Sequence, residues 1–369
     1  MSAPHSSMSA HRPTLRPDVL LSAPLLRGPD TVHLVKDPVS GSCFTVGAKE
    51  FFLISRLDGN RTTQEIETEY AAAFGRRLGD AHWHQLLGLL GRRQLLAGAA
   101  PQPAVDSSSP SPFTGTLYRG SVRLVADADA ATGTLHRLLR PLLRAPVLLV
   151  LLALCLGMEV VLAADSAQLA RDTWWLFQHP AALLGVFTLL WLSTAGHELA
   201  HGVTARQFGG RVSEIGLRWR LPVAIMYCRV DNYRFLAHRH QVAVGAAGAF
   251  ANLLFLLPFT TWWAVLETAD PTRRVLSGLL LLGSLQALVN LLPLPPLDGY
   301  TMLGHGLGVD EYAANSGRYL RLRLRDQQAA IAYPRRARVL YTAYGIGSSV
   351  LLLVLAGVVA MAAYLLIVD

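Results

Sequence analysis

At 369 residues, 52% hydrophobic and only 16% charged, the chain is too apolar for an ordinary soluble protein of its length. The formal charge of +8 is carried almost wholly by arginine, Lys36 and Lys49 being the only lysines. The arginines lie beside apolar segments instead of forming one basic, aromatic-interleaved face, so nucleic acid is not an expected partner. Cys43, Cys155 and Cys228 stand far apart and imply neither a disulfide framework nor a cysteine zinc site.

Met1 to Pro24 is polar with no apolar core, so no cleavable signal peptide is expected, and residues 1–15 read as disordered. Residues 16–98 read as a small soluble α+β domain. Thr31 to Lys36 runs up to the turn Asp37-Pro38-Val39-Ser40-Gly41, and Cys43 to Val46 completes a hairpin. Three helices follow. Ala48 to Leu57 stops at Asp58-Gly59-Asn60. Thr62, with Glu65 three residues on, forms a capping box opening a helix to Phe74. Asp80 starts the third helix, whose leucines as far as Leu96 supply a buried face. Residues 99–115, including Ser107-Ser108-Ser109-Pro110-Ser111-Pro112, have a linker composition, and 116–145 is expected to be juxtamembrane.

From Pro146 the chain reads as a mainly α, multi-pass membrane protein with five spans, near 146–164, 181–203, 241–265, 275–293 and 341–367. Loops 204–240 and 300–340 hold seven arginines each, against Arg171 alone in 165–180 and Arg273 with Arg274 in 266–274. This alternation places the N-terminal domain in the cytoplasm and the protein in the cell membrane. Trp174-Trp175 and Trp262-Trp263 fall where an outer aromatic belt belongs. Glu159 is expected to reach the headgroups, Gln286 to bond a neighbouring helix, and His305 to sit in a solvated loop.

His197-Glu198-Leu199-Ala200-His201 closes the second apolar run. Residues four apart on a helix share a face, so His197 and His201 can hold one metal ion. Glu198 beside them can act as general base on water. A third ligand is required, and Asp298 is the candidate. It follows Pro293, Pro295 and Pro296, which break the helix, and the expected topology brings it to the same membrane face as the histidines.

His197-Glu198-x-x-His201 together with Asn290-x-x-Pro293-x-x-x-Leu297-Asp298-Gly299 resembles the site-2 protease family of intramembrane zinc metalloproteases. The resemblance covers about residues 180–300 and implies one Zn2+ on His197, His201 and Asp298, with Glu198 activating water for peptide-bond hydrolysis. It also suggests a substrate or oxyanion role for Asn290, and for Asn252 in the small-residue segment Gly245 to Asn252. Hydrogen bonding between helices is an equal alternative for both. That segment departs from the family by carrying Ala249 where proline is usual, and no PDZ-like segment is evident.

Asp37-Pro38-x-Ser40-Gly41, then Leu57-Asp58-Gly59 and the capped helix, is similar to the PqqD-like fold, a winged helix that recognises leader peptides. An extended leader would then add as a strand to the hairpin edge. The expected substrate is a membrane-associated or leader-bearing peptide precursor, opened locally by pairing with Val212 to Val230. The alternatives are regulatory cleavage of a membrane-anchored signalling protein and a non-catalytic receptor or exporter component.

Overall fold

The computed structural model describes residues 10–98, 113–116, 118–221 and 223–368. In chain order its strands are β1 (Leu20–Leu21), β2 (Leu25–Arg27), β3 (Asp30–Lys36), β4 (Cys43–Gly47), β5 (Phe113–Gly115), β6 (Arg119–Arg123), β7 (Arg211–Arg220) and β8 (Val223–Asp231). Its helices are α1 (Ala48–Ile54), α2 (Thr63–Phe74), α3 (Asp80–Arg92), α4 (Ala128–Leu139), α5 (Ala145–Ala164), α6 (Ser166–Phe177) and α7 (Pro180–Gln207). They continue as α8 (His238–Val265), α9 (Pro271–Asn290), α10 (Asp298–Leu307), α11 (Tyr312–Arg325), α12 (Gln327–Ile331) and α13 (Arg335–Val368). The chain forms two compact units, one from residues 1–109 with 308–345, the other from 110–307 with 346–369.

In the first unit β3 is the central strand, antiparallel to β4 on one side and to β1 and β2 on the other. The capping box forms as its sequence requires: Thr62 accepts from the Glu65 amide and Glu65 accepts from the Thr62 amide. Gly59 is obligatory, since φ is +78° and a Cβ would stand 2.4 Å from Thr14 Oγ1. Val35, Ile66, Trp83 and Leu95 fill the core. Thr14 and Leu15 bridge to Asp58 and Leu96, so the ordered domain begins inside the stretch expected to be disordered. The remainder of that stretch, 1–9, lies outside the described residues.

Residues 308–345, expected as a loop up to 340 and then the start of the last span, pack with this unit. Leu26 pairs with Val309 as a parallel bridge, Arg27 binds Asp310, and Tyr341 donates to the Gly28 carbonyl at 3.0 Å.

The second unit is helical, with one four-stranded antiparallel sheet in the order β5-β6-β7-β8. Its strand β5 occupies the end of the expected linker; the serine–proline run lies outside the described residues. The expected juxtamembrane segment contributes β6 and α4. Asp129 of α4 accepts from Arg206 of α7 and from the Val212 amide of β7, tying three elements together.

Leu176, Leu256, Leu279 and Leu280 centre the core of the helical bundle. Among the described residues four helices are long and apolar enough to cross a membrane: Ala145–Ala164, Pro180–Gln207, His238–Val265 and Arg335–Met361. The expected fifth, α9, is not one of them. It carries Arg273, Arg274 and several small or polar residues, and its apolar positions pack against other helices.

Inside the bundle Ser284 donates to Glu159 Oε1 at 2.8 Å and Gln286 donates to Thr194 Oγ1 at 2.8 Å. Glu159 therefore bonds α9 instead of reaching for headgroups, whereas Gln286 behaves as expected. Each tryptophan pair splits: Trp174 and Trp262 are exposed, while Trp175 packs on the core and Trp263 is buried with its N–H on Ser277. Consecutive helical residues point about 100° apart, so a pair cannot serve the belt together.

Candidate metal centre

The i, i+4 spacing on α7 sets His197 Nε2 and His201 Nε2 3.1 Å apart. Asp298, the first residue of α10, brings Oδ2 to 2.9 Å from His197 Nε2 and 3.5 Å from His201 Nε2. A tetrahedral zinc with bonds of about 2.0–2.1 Å separates neighbouring ligand atoms by about 3.3 Å. Two imidazoles and a carboxylate at these spacings therefore fit one zinc ion.

The imidazole nitrogens crowd Asp298 Oδ2 without approaching along a hydrogen-bonding direction, leaving a buried acceptor without a donor. A cation satisfies such an oxygen.

Several neighbours exist to hold this cluster. His201 Nδ1 donates to the Val244 carbonyl at 2.6 Å, which leaves Nε2 bare toward the cluster. Asn252 Nδ2 lies 3.1 Å from His197 Nδ1, and Asn252 Oδ1 accepts from Ser193 at 3.0 Å. At Gly248 a Cβ would stand 2.5 Å from His197 Nε2, so only glycine lets α8 back the ring this closely. At Gly299 a Cβ would stand 2.0 Å from the Leu291 carbonyl oxygen, which explains why glycine follows Asp298 at the start of α10.

Glu198 Oε2 accepts from the Cys228 backbone amide at 3.2 Å, so β8 holds the carboxylate beside the cluster. The hairpin comes this near because α7 presents Gly202, where a Cβ would stand 2.7 Å from Cys228 Sγ. A cavity of about 230 Å³ opens at the cluster, lined by His201, Asp298, Cys228, Tyr233, Val244 and Thr301 among others. Burial, aided by Glu198, pushes the Cys228 thiol up to about 12, which makes it a neutral wall of the cavity and not a nucleophile.

The structure thus brings together His197, His201, Asp298 and Glu198. Asn252 is buried and engaged between helices, the alternative left open for it. Asn290 ends α9 half-buried and is not among the residues lining the cavity. His305 lies within α10, edge-on to Tyr233 at 4.9 Å between ring centres, and not in a loop. Sequence reasoning missed Ser193, Gly248, the Val244 carbonyl and the strand character of 211–231. Only the alternating pattern of Val212, Glu214, Gly216 and Arg218 against Ile215, Leu217 and Trp219 hinted at the last.

No protein-family model, curated protein or solved structure matches the chain.

Proposed function

We propose that this chain is a membrane-embedded zinc metalloendopeptidase of the site-2 protease type, holding one zinc ion on His197, His201 and Asp298. The observation that carries the reading is the mutual approach of the three ligand atoms, 2.9, 3.1 and 3.5 Å, with a fourth side free to face the cavity. Zinc in such a site supplies Lewis-acid polarisation of water and of a peptide carbonyl.

The protein's own groups do the rest. Glu198, aimed by the Cys228 amide, takes a proton from water at its carboxylate and returns it to the leaving amine. Because helical amides are shielded from attack, a substrate must be extended at the site. β8 pairs on one side with β7, and its neighbourhood to Glu198 supports docking of an extended peptide along it.

The substrate we infer is a peptide precursor presented by the N-terminal domain, of PqqD-like type, from the cytoplasmic side of the cell membrane. The edge of β2 is taken up by residues 308–310, and among the described residues β4 pairs with β3 alone. That leaves the β4 edge for strand addition by a leader.

The test is zinc content after metal-replete purification, alongside hydrolysis of fluorescein-labelled casein. Wild type is expected to hold one zinc per chain, Glu198→Gln to keep the zinc and lose hydrolysis, and Asp298→Ala to lose both. Wild type without zinc, or hydrolysis undiminished in Glu198→Gln, overturns the reading.

A further inference from the structure

Away from the metal centre, the second unit contains two cavities that join. An apolar groove of about 710 Å³ lies among α4, α5, α7 and α8. Leu139, Leu148, Leu152 and Leu199 form walls, and Ala247 and Ala251 keep its α8 side low. The groove shares Leu143 and Gln207 with a second cavity of about 630 Å³, whose rim carries Arg137, Arg140 and Arg144.

The position of the join sets the chemistry. Ala145 opens α5 and Gln207 closes α7, both long enough to cross a membrane, so the arginine cavity lies at their shared end. The groove runs from there along the spanning helices, at the depth of acyl chains. All three arginines are exposed, and among the described residues no carboxylate lines either cavity. Among the described residues none of the three forms an ion pair, whereas nearby Arg206 is taken by Asp129. Arg137 donates to Thr134 Oγ1 at 3.2 Å, and guanidinium groups without a carboxylate partner above an apolar slot match a phosphodiester that carries hydrocarbon chains. The planar guanidinium fork suits phosphate oxygens, and the leucine-lined slot suits the chains.

We propose that the paired cavities form a binding site for an anionic phospholipid, with its acyl chains in the groove and its phosphate held by Arg137, Arg140 and Arg144. The groove wall includes Leu199 and Ala200, which lie between His197 and His201 on α7. A seated lipid therefore backs the helix that presents the metal-ligating side chains. The proposal does not depend on what reaction that helix supports.

The full chain, purified in neutral detergent, is titrated with phosphatidylglycerol or with phosphatidylcholine of the same acyl chains, and retained lipid is counted by native mass spectrometry. Phosphatidylglycerol is expected to remain as a one-to-one adduct and to raise the unfolding temperature, with phosphatidylcholine retained at least tenfold less. Arg140→Gln with Arg144→Gln is expected to weaken phosphatidylglycerol retention by about 30-fold, as loss of two headgroup contacts implies. Removing the same charge on α11, by Arg318→Gln with Arg325→Gln, is expected to change nothing. Equal retention of the two lipids, or equal loss in both variant pairs, overturns the proposal. An equal rise in unfolding temperature with inorganic phosphate would reduce the site to a phosphate pocket and also overturn it.

Discussion

Asn252 and His197 meet side chain to side chain, amide nitrogen to Nδ1, at 3.1 Å, although 55 residues separate them. The pairing matters because a histidine that binds metal through Nε2 carries its proton on Nδ1 and needs an acceptor there. Turning the Asn252 amide by half a revolution presents its oxygen to that proton and its NH2 group to Ser193, so both partners stay satisfied. Replacing Asn252 with leucine removes the acceptor while keeping the volume. Zinc affinity, measured by competition with a chelator, is expected to fall about 10- to 100-fold. Undiminished affinity would show that the amide only joins two helices.

Gly248 is the other residue of α8 that the His197 ring depends on. A methyl group there would overlap the ring at 2.5 Å and push it out of line with His201 and Asp298. Gly248→Ala favours the helix by roughly 1 kcal/mol in propensity, so the variant is expected to fold. Its zinc content is expected to drop to a small fraction of wild type, while its circular dichroism spectrum is unchanged. Full zinc occupancy in the variant would contradict this account of the glycine.

The Glu159–Ser284 bond joins α5 to α9 inside the bundle, and its strength can be isolated by a double-mutant cycle with Glu159→Leu and Ser284→Ala. Helix-to-helix hydrogen bonds in membranes couple by about 0.6 kcal/mol and rarely exceed 1.7. Unfolding of the four proteins in mixed micelles should give a coupling in that range. Zero coupling would return Glu159 to the headgroup role read from its position.

Acid should loosen the N-terminal domain through Asp37. Burial would raise this carboxyl, but Ser40, the Val39 amide and Arg16 together hold it below its usual value. A carboxyl depressed in the folded state stabilises the fold above its unfolded value, near 3.9, and that contribution disappears as pH falls through the lower folded value. Asp37→Asn is therefore expected to cost roughly 1–3 kcal/mol at pH 7. Thermal unfolding of the full chain in detergent should show the gap between wild type and variant closing as pH is lowered from about 4 toward 2. A gap that is constant with pH would place the stabilisation elsewhere.

What the sequence determined alone is what neighbours along the chain determine. Periodicity of 3.6 placed His197 and His201 on one face, and the capping box, the β3–β4 hairpin and the apolar character of α5, α7, α8 and α13 follow from equally local rules. Asp298 was legible because prolines before it and glycine after it mark a helix start on a broken segment. Tertiary structure alone decided what depends on which surfaces meet. Local pattern does not encode that Asn252 reaches His197, that Gly248 backs its ring, that the Cys228 amide aims Glu198, or that Glu159 turns to Ser284. Nor does it encode that residues 308–345 pack with the N-terminal unit, or that α9, read as a span, is packed within the bundle. Each of these is a contact between segments remote in sequence, chosen by close packing and by the need of buried polar groups for partners.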